Sequence, residues 1–240
     1  MSRNKTARFA EMQNFKNVFQ PPIDKEECFP LKGKWNESVF KNSYPLILEL
    51  GCGKGEYTIG LGKAFTQYNY IGVDIKGARM YVGAKKAINE NMNNVAFLRT
   101  RIELIENFFA PDEVDEIWIT FPDPQPKMKW AKKRLTSSHF INKYRNITRQ
   151  NAVFHLKTDS VFLYHYTLAL LQKNEVNILC HTDNVYETTF LDSIYNIKTH
   201  YENLFTAQGY KITYIKWENP LKETIELSHE EYKKIEERYL

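Results

Sequence analysis

A chain of 240 residues, 42% of them apolar, has room for one large domain or two small ones and enough apolar surface for a full core. No stretch approaches the roughly 18–20 continuous apolar residues of a membrane span, and the opening MSRNKTARFAEMQNF lacks the apolar centre of a signal peptide, so a cytoplasmic, non-membrane protein is expected. The net charge of +4 is weak by itself, and the three cysteines, Cys28, Cys52 and Cys180, form no CxxC pair and no cluster with histidine, which argues against a bound metal or a disulfide framework.

In chain order, Pro45–Leu50 (PLILEL) reads as a buried strand followed by glycines, and Glu56–Thr66 as a helix. Tyr70–Val73 is a second strand that ends at Asp74, and Ala78–Asn89 is helical. Val95–Leu98 and Val114–Thr120 are the third and fourth strands. A helix over Ser137–Thr148, a fifth strand over Ala152–Lys157 and a helix over Val161–Gln172 follow. Val176–Cys180 and Tyr210–Trp217 read as closing strands around a helix near Thr199–Gln208, and Ser228–Leu240 as a short acidic helix. Strands alternating with helices imply an α/β, doubly wound, mostly parallel sheet. Ligands in that class bind beyond the carboxyl ends of the strands.

Two motifs lie at such ends. Glu49 precedes Gly51, Gly53 and Gly55 at the passage from the first strand into its helix. The dinucleotide fingerprint is G-x-G-x-x-G, with a pyrophosphate on the helix N-terminus. Here the third glycine comes one residue early, and the acid would repel a pyrophosphate. An acid suits a cationic ligand that carries an amino group and a sulfonium. Asp74, 23 residues after Gly51, stands where a carboxylate accepts ribose hydroxyls. Together these features favour S-adenosylmethionine over a nicotinamide cofactor.

The fourth strand runs into Phe121-Pro122-Asp123-Pro124-Gln125-Pro126-Lys127, a loop stiffened by proline. From Phe121 to Arg149 there are eight basic residues, beginning with Lys127, Lys129, Lys132, Lys133 and Arg134, and one acid, Asp123. Such a run is either a solvated face or a polyanion site, and its place beside the loop favours the latter. Trp130 is either a stacking platform for a base or a partly buried anchor. Asp159 reads equally as a helix N-cap, and Thr199 with Glu202 as a capping box. His155 is expected to be packed rather than catalytic, and His165, His181 and His200 show no partner in the sequence.

The order LELGCGKG, GVDIK, FPDPQPKMKWAKKRLT, HLKTDS and THYE resembles the bacterial tRNA (guanine-N7-)-methyltransferase family over roughly residues 40 to 217. The resemblance implies a Rossmann-like S-adenosylmethionine-dependent fold with an antiparallel closing strand, and methylation at N7 of a guanine in the variable loop of tRNA. It assigns Glu49 and Asp74 to the cofactor, Asp123 to the place between cofactor and guanine as the catalytic residue, and Lys127, Asp159, Thr199 and Glu202 to the substrate. Phosphate contacts are expected from Lys132, Lys133 and Arg134. The sequence departs from the family at Gln125, where the loop usually has Trp, and at Arg101, where Asn or Asp usually meets the adenine. Residues 1–40 read as a basic N-terminal arm, with room for disorder until RNA binds, and 41–240 as the methyltransferase domain; monomer and homodimer both remain open. A methyltransferase for another target would more often show (N/D)-P-P-(Y/F) after the fourth strand. A non-catalytic RNA-binding protein would have no use for Glu49, the glycines and Asp74.

Overall fold

The computed structural model describes residues 3–22, 29–187 and 197–240; Cys28 lies outside them. The strands are β1 (Val18–Phe19), β2 (Leu46–Leu50), β3 (Asn69–Asp74), β4 (Val95–Arg99), β5 (Val114–Thr120), β6 (Thr148–Thr158), β7 (Ile178–Thr182) and β8 (Thr213–Glu218). Among the described residues they form one sheet in the order β1-β4-β3-β2-β5-β6-β8-β7. All neighbours are parallel except β8, which runs antiparallel to both β6 and β7. The fold is therefore α/β, doubly wound, with an antiparallel closing strand. Helices α2 (Glu56–Ala64), α3 (Gly77–Asn89), α4 (Ser138–Arg145) and α5 (Val161–Lys173) follow or precede the parallel strands.

Alternation along each strand sends successive side chains to opposite faces. Leu46, Leu48 and Leu50 join one apolar cluster with Ile71, Val73, Ile117 and Ile119. Ile47 joins a second with Tyr70 and Trp118. Both faces are covered, which is why PLILEL reads as a continuous apolar run rather than an alternating one. Strand order reverses between β2 and β5: the chain builds β3 and β4 on one side of β2, then returns to add β5 and β6 on the other. A crevice opens at that reversal.

The segment expected as an arm takes part in this body over its described residues. Helix α1 (Arg3–Met12) lies on α3, with Lys85 Nζ 2.9 Å from Glu11 and the Tyr81 hydroxyl donating to the same carboxylate at 2.6 Å. Strand β1 adds to the sheet edge beside β4, where the Phe97 N–H donates to Asn17 O at 2.8 Å. Trp35 is fully buried, stacks on Phe109 and donates from Nε1 to Phe108 O at 2.9 Å. These anchors are a carboxylate, a backbone carbonyl and one tryptophan, each meeting a partner far along the chain, so the local sequence gives no pattern for them.

Helix α6 (His200–Ala207) precedes β8, and α7 (His229–Tyr239) closes the chain with a capping box between Ser228 and Glu231. Two histidines acquire the partners that the sequence did not reveal: His165 stacks on Tyr239 at 3.6 Å and His181 Nδ1 meets the Tyr164 hydroxyl at 2.9 Å. His155 is packed as expected, parallel to Trp118 at 3.8 Å between ring centroids. Burial holds its pKa down against the pull of the Glu116 carboxylate, 3.3 Å from its Nε2.

Arg134 requires a correction. Expected on phosphate, it is fully buried at the end of the 3-10 turn Met128–Lys133. Its Nε donates to Gln125 O at 3.0 Å, and its Nη2 to Pro126 O at 3.3 Å and to the Tyr232 hydroxyl at 3.0 Å. The guanidinium lies 4.3, 4.9 and 5.0 Å from the centres of the Tyr166, Tyr232 and Phe162 rings. A cation enclosed by three rings and bound to loop carbonyls is not available to RNA. Arg134→Ala should lower the unfolding free energy by about 3 kcal/mol or more, because buried carbonyls lose their donor. Arg134→Lys should recover little, since an ammonium cannot reproduce the fork. Urea denaturation checks both; a loss below about 1 kcal/mol for the alanine variant would overturn the assignment.

Candidate active site

At the end of β2 the chain turns through Gly51, Gly53 and Gly55, which have φ of 75°, 55° and 70°, a region that costs other L-residues energy. The N–H groups of Gly51 and Cys52 both donate to Val73 O, at 2.8 and 3.1 Å, and so tie the turn to β3. Gly55 is also fixed by packing, because a Cβ there would come within 2.5 Å of the Phe97 ring. At Gly53 the nearest atom to such a Cβ would be 3.9 Å away, so its face is left open to a ligand. Asp74 latches the turn from the side. Its Oδ2 accepts from the Gly53 N–H at 2.9 Å and its Oδ1 from the Lys76 N–H at 2.7 Å.

Glu49 is 4% exposed. Its Oε2 accepts from the backbone N–H of Thr58 on α2 at 2.8 Å and from the Thr58 hydroxyl. Its Oε1 accepts from the Thr120 hydroxyl at the end of β5 at 2.6 Å. Burial pushes its pKa up to about 7; the three hydrogen bonds resist that rise and the charge of Asp74 adds to it. A buried acid of this kind is completed by a cation.

Glu49, the glycine turn and Asp74 line a cavity of ≈ 530 Å³ that also receives Asp123, Asp159 and Thr199. Asp123 sits in a loop whose flanking residues Phe121 and Gln125 have φ of 47° and 45°. Non-glycine residues held there mark a conformation imposed by their surroundings. The Phe121 N–H donates to Lys157 O at 2.8 Å, Asp123 Oδ1 accepts from the Gln125 N–H at 3.2 Å, and Arg134 holds the Gln125 carbonyl. Gln125, the departure from the family pattern, thus serves the loop through its backbone.

The capping alternatives separate. Ser160, not Asp159, caps α5, its hydroxyl accepting from the Leu163 N–H at 3.2 Å. Asp159 is left facing the cavity, half-buried, with its pKa raised by burial. Thr199 does cap α6, its hydroxyl accepting from the Glu202 N–H at 3.2 Å. Glu202 does not return the bond. It is fully buried behind Thr199, with Oε1 2.7 Å from Lys157 Nζ and accepting from the Tyr186 hydroxyl.

Of the expected basic contacts, Lys133 reaches the cavity wall while Lys127 and Lys132 are exposed outside it. Trp130 is half-buried, with Lys127 and Lys129 ammonium groups 5.5 and 5.2 Å from its ring centre. Arg101 is exposed ahead of the 3-10 turn Ile102–Asn107 and does not line the cavity, so an adenine contact from its side chain is not supported. Sequence reasoning missed Tyr57, Lys76 and Arg79 on the cavity wall, and Thr58 and Thr120 as partners of Glu49. Thr120 could have been found as the last residue before the PDP loop; the others carry no local signal.

Residues 43–215 match the family model described as "Putative methyltransferase". Over 219 residues, 90% of this chain and 98% of the relative, the sequence is 49% identical to the tRNA (guanine-N(7)-)-methyltransferase of Christiangramia forsetii. The enzyme of that name from Bacteroides thetaiotaomicron is 46% identical over 92% of this chain and 87% of the relative. The chain belongs to the tRNA (guanine-N7-)-methyltransferase family. Among solved structures, the 16S rRNA methyltransferase KamB superposes with a TM-score of 0.60 at 11% identity, over 85% of this chain and 99% of that one. An antibiotic-related methyltransferase gives 0.57 at 17% identity, over 84% and 97%. At these identities the likeness establishes the fold.

The cofactor of this methyltransferase is S-adenosylmethionine. The residues present fit it: an open glycine turn, a strand-end acid whose carboxylate touches that turn, and a buried acid held, among the described residues, by two hydroxyls and a backbone N–H. Glu49 should therefore ionise as the cofactor's ammonium arrives. Between about pH 6 and 8 the affinity should rise about tenfold more in the native protein than in Glu49→Gln. Calorimetry with S-adenosylhomocysteine checks this, and equal pH dependence in the two proteins would overturn it. Stability runs the other way. The folded pKa lies above the ordinary carboxylate value of 4.5, so Glu49's share of stability is complete below about 4.5 and is lost as pH rises through about 7.

Proposed function

We propose that this enzyme transfers the methyl group of S-adenosylmethionine to N7 of a guanine in the variable loop of tRNA, in the cytoplasm. The observation that carries the reading is that Asp123, Asp159 and Thr199 share one cavity with Glu49, the glycine turn and Asp74. When bound, the cofactor supplies an electrophilic methyl on a sulfonium, open to in-line displacement by a purine lone pair. N7 carries that lone pair without a proton, so no general base is needed. Asp123 and Asp159 face the base with negative charge, which selects the donor edge of guanine and stabilises the positive charge that methylation leaves on the purine. The strained, doubly anchored PDP loop holds Asp123 before substrate arrives, so little reorganisation remains for the reaction. Lys127, Lys132 and Lys133 take phosphates and fix register without reading sequence.

Asp123→Ala should lower kcat by about 10²-fold or more while the fold persists. The readout is labelled 7-methylguanosine in digests of unmodified tRNA transcripts, with circular dichroism as the control. Unchanged turnover would remove Asp123 from the mechanism, and a different methylated nucleoside would overturn the substrate atom. Lys127→Glu/Lys132→Glu, both outside the cavity, should weaken tRNA binding and flatten its salt dependence by a log–log slope of roughly 0.7–0.9 per lost contact. Cofactor affinity should stay near the native value; its loss together with tRNA binding would indicate misfolding and leave the patch without support.

A further inference from the structure

Lys157 ends β6 as a fully buried cation below the cavity. Its Nζ is 2.7 Å from Glu202 Oε1 and donates to Ile197 O at 3.4 Å, with the Tyr57 ring centre 5.5 Å away. Residues 197 and 202 bracket Thr199, which faces the cavity. One ammonium thus grips both ends of the turn that presents Thr199. The Tyr186 hydroxyl donates to the same Glu202 oxygen, while Oε2 has no partner among the described residues. A buried pair of this kind contributes little net stability compared with apolar replacements, so its value must lie in geometry or chemistry.

We propose that Lys157, backed by the Tyr186 hydroxyl, is a positioning residue for methyl transfer: it fixes Thr199 at the cavity wall and holds Glu202 as an oriented carboxylate behind it. The inference rests on the reading that Thr199 meets the guanine. Burial drives the Lys157 pKa down and the Glu202 carboxylate drives it back up, so Glu202 sustains the charge of Lys157. Among the described residues, the charged and titratable groups around Glu202 are Lys157 from β6, Tyr186 from the 3-10 turn Val185–Glu187, and Lys198, whose ammonium lies 4.5 Å from the Tyr186 ring centre. Of these, Lys157 is the cation in contact with the carboxylate.

The test compares native enzyme, Lys157→Met, Tyr186→Phe and Lys157→Met/Glu202→Gln on tRNA transcripts with saturating cofactor. Native turnover should be flat between about pH 6 and 9, because no base is used. In Lys157→Met, Glu202 loses its cation, and turnover should fall about tenfold or more at low pH and recover as pH rises. Adding Glu202→Gln should abolish that pH dependence. Tyr186→Phe should show a weaker version of it. Cofactor affinity should stay within about twofold of native, because Glu49 and the glycine turn are untouched. Hydrogen exchange at the Asn203 amide, which donates to Thr199 O at 3.0 Å, should quicken in Lys157→Met. A native rate, pH profile and exchange pattern in Lys157→Met would overturn the proposal. If that variant does not fold, a native pH profile in Tyr186→Phe, a partly exposed position, overturns it instead. If the native enzyme leaves tRNA unmethylated, the proposed function fails, and the exchange comparison still decides whether Lys157 holds the turn.

Discussion

The molecule is organised around one buried carboxylate. Glu49 stands at the end of β2, where strand order reverses, and its two oxygens bind α2 through Thr58 and β5 through Thr120. It therefore joins the helix that follows the cofactor turn to the strand that launches the PDP loop. A neutral side chain could make some of those bonds. It could not present charge to a cationic ligand at the buried end of the cavity. The protein bears the desolvation of an acid at the centre of its sheet, and that burial pushes the pKa of Glu49 up.

Two buried cations repeat the pattern nearby. Arg134 is enclosed by Phe162, Tyr166 and Tyr232 and holds the carbonyls of Gln125 and Pro126. Lys157 lies against Glu202 beside the turn of Thr199. Both support a segment that faces the cavity. Exposed lysines, by contrast, gather on the turn Met128–Lys133, where a mobile head group can find a phosphate. Burial divides one basic run into two tasks: Lys132 and Lys133 remain outside, while Arg134, one residue further, turns inward as part of the scaffold.

The sequence made the sheet and the cofactor cradle legible because both rest on local patterns. The apolar runs of β2 to β5 and the glycines after Glu49 declare themselves within eight residues. Boundaries moved where backbone pairing, not side-chain pattern, decided them: β6 begins at Thr148, opposite Val114, rather than at Ala152, and runs through the exposed residues Arg149, Gln150 and Asn151. Arg134 was misread because a basic run gives no sign of which member points inward; its partner Tyr232 is 98 residues away. Asp159 and Ser160 are adjacent possible caps, and only the backbone entering α5 selects Ser160. The packing of α1, β1 and Trp35 was invisible for a related reason, since each is a solitary anchor whose receptor lies far along the chain.

Helix α7 ties the active loop to a distant part of the chain. Its Tyr232 touches both Arg134 and the carbonyl of Pro126 in the PDP loop, across 106 residues of sequence. The loop that carries Asp123 thus takes part of its shape from a helix that lines none of the cavity. The glycine turn and Glu49 are held instead by bonds to β3, α2 and β5. The cofactor cradle and the loop that meets the base are therefore braced by separate parts of the fold, and a change in α7 reaches one without the other.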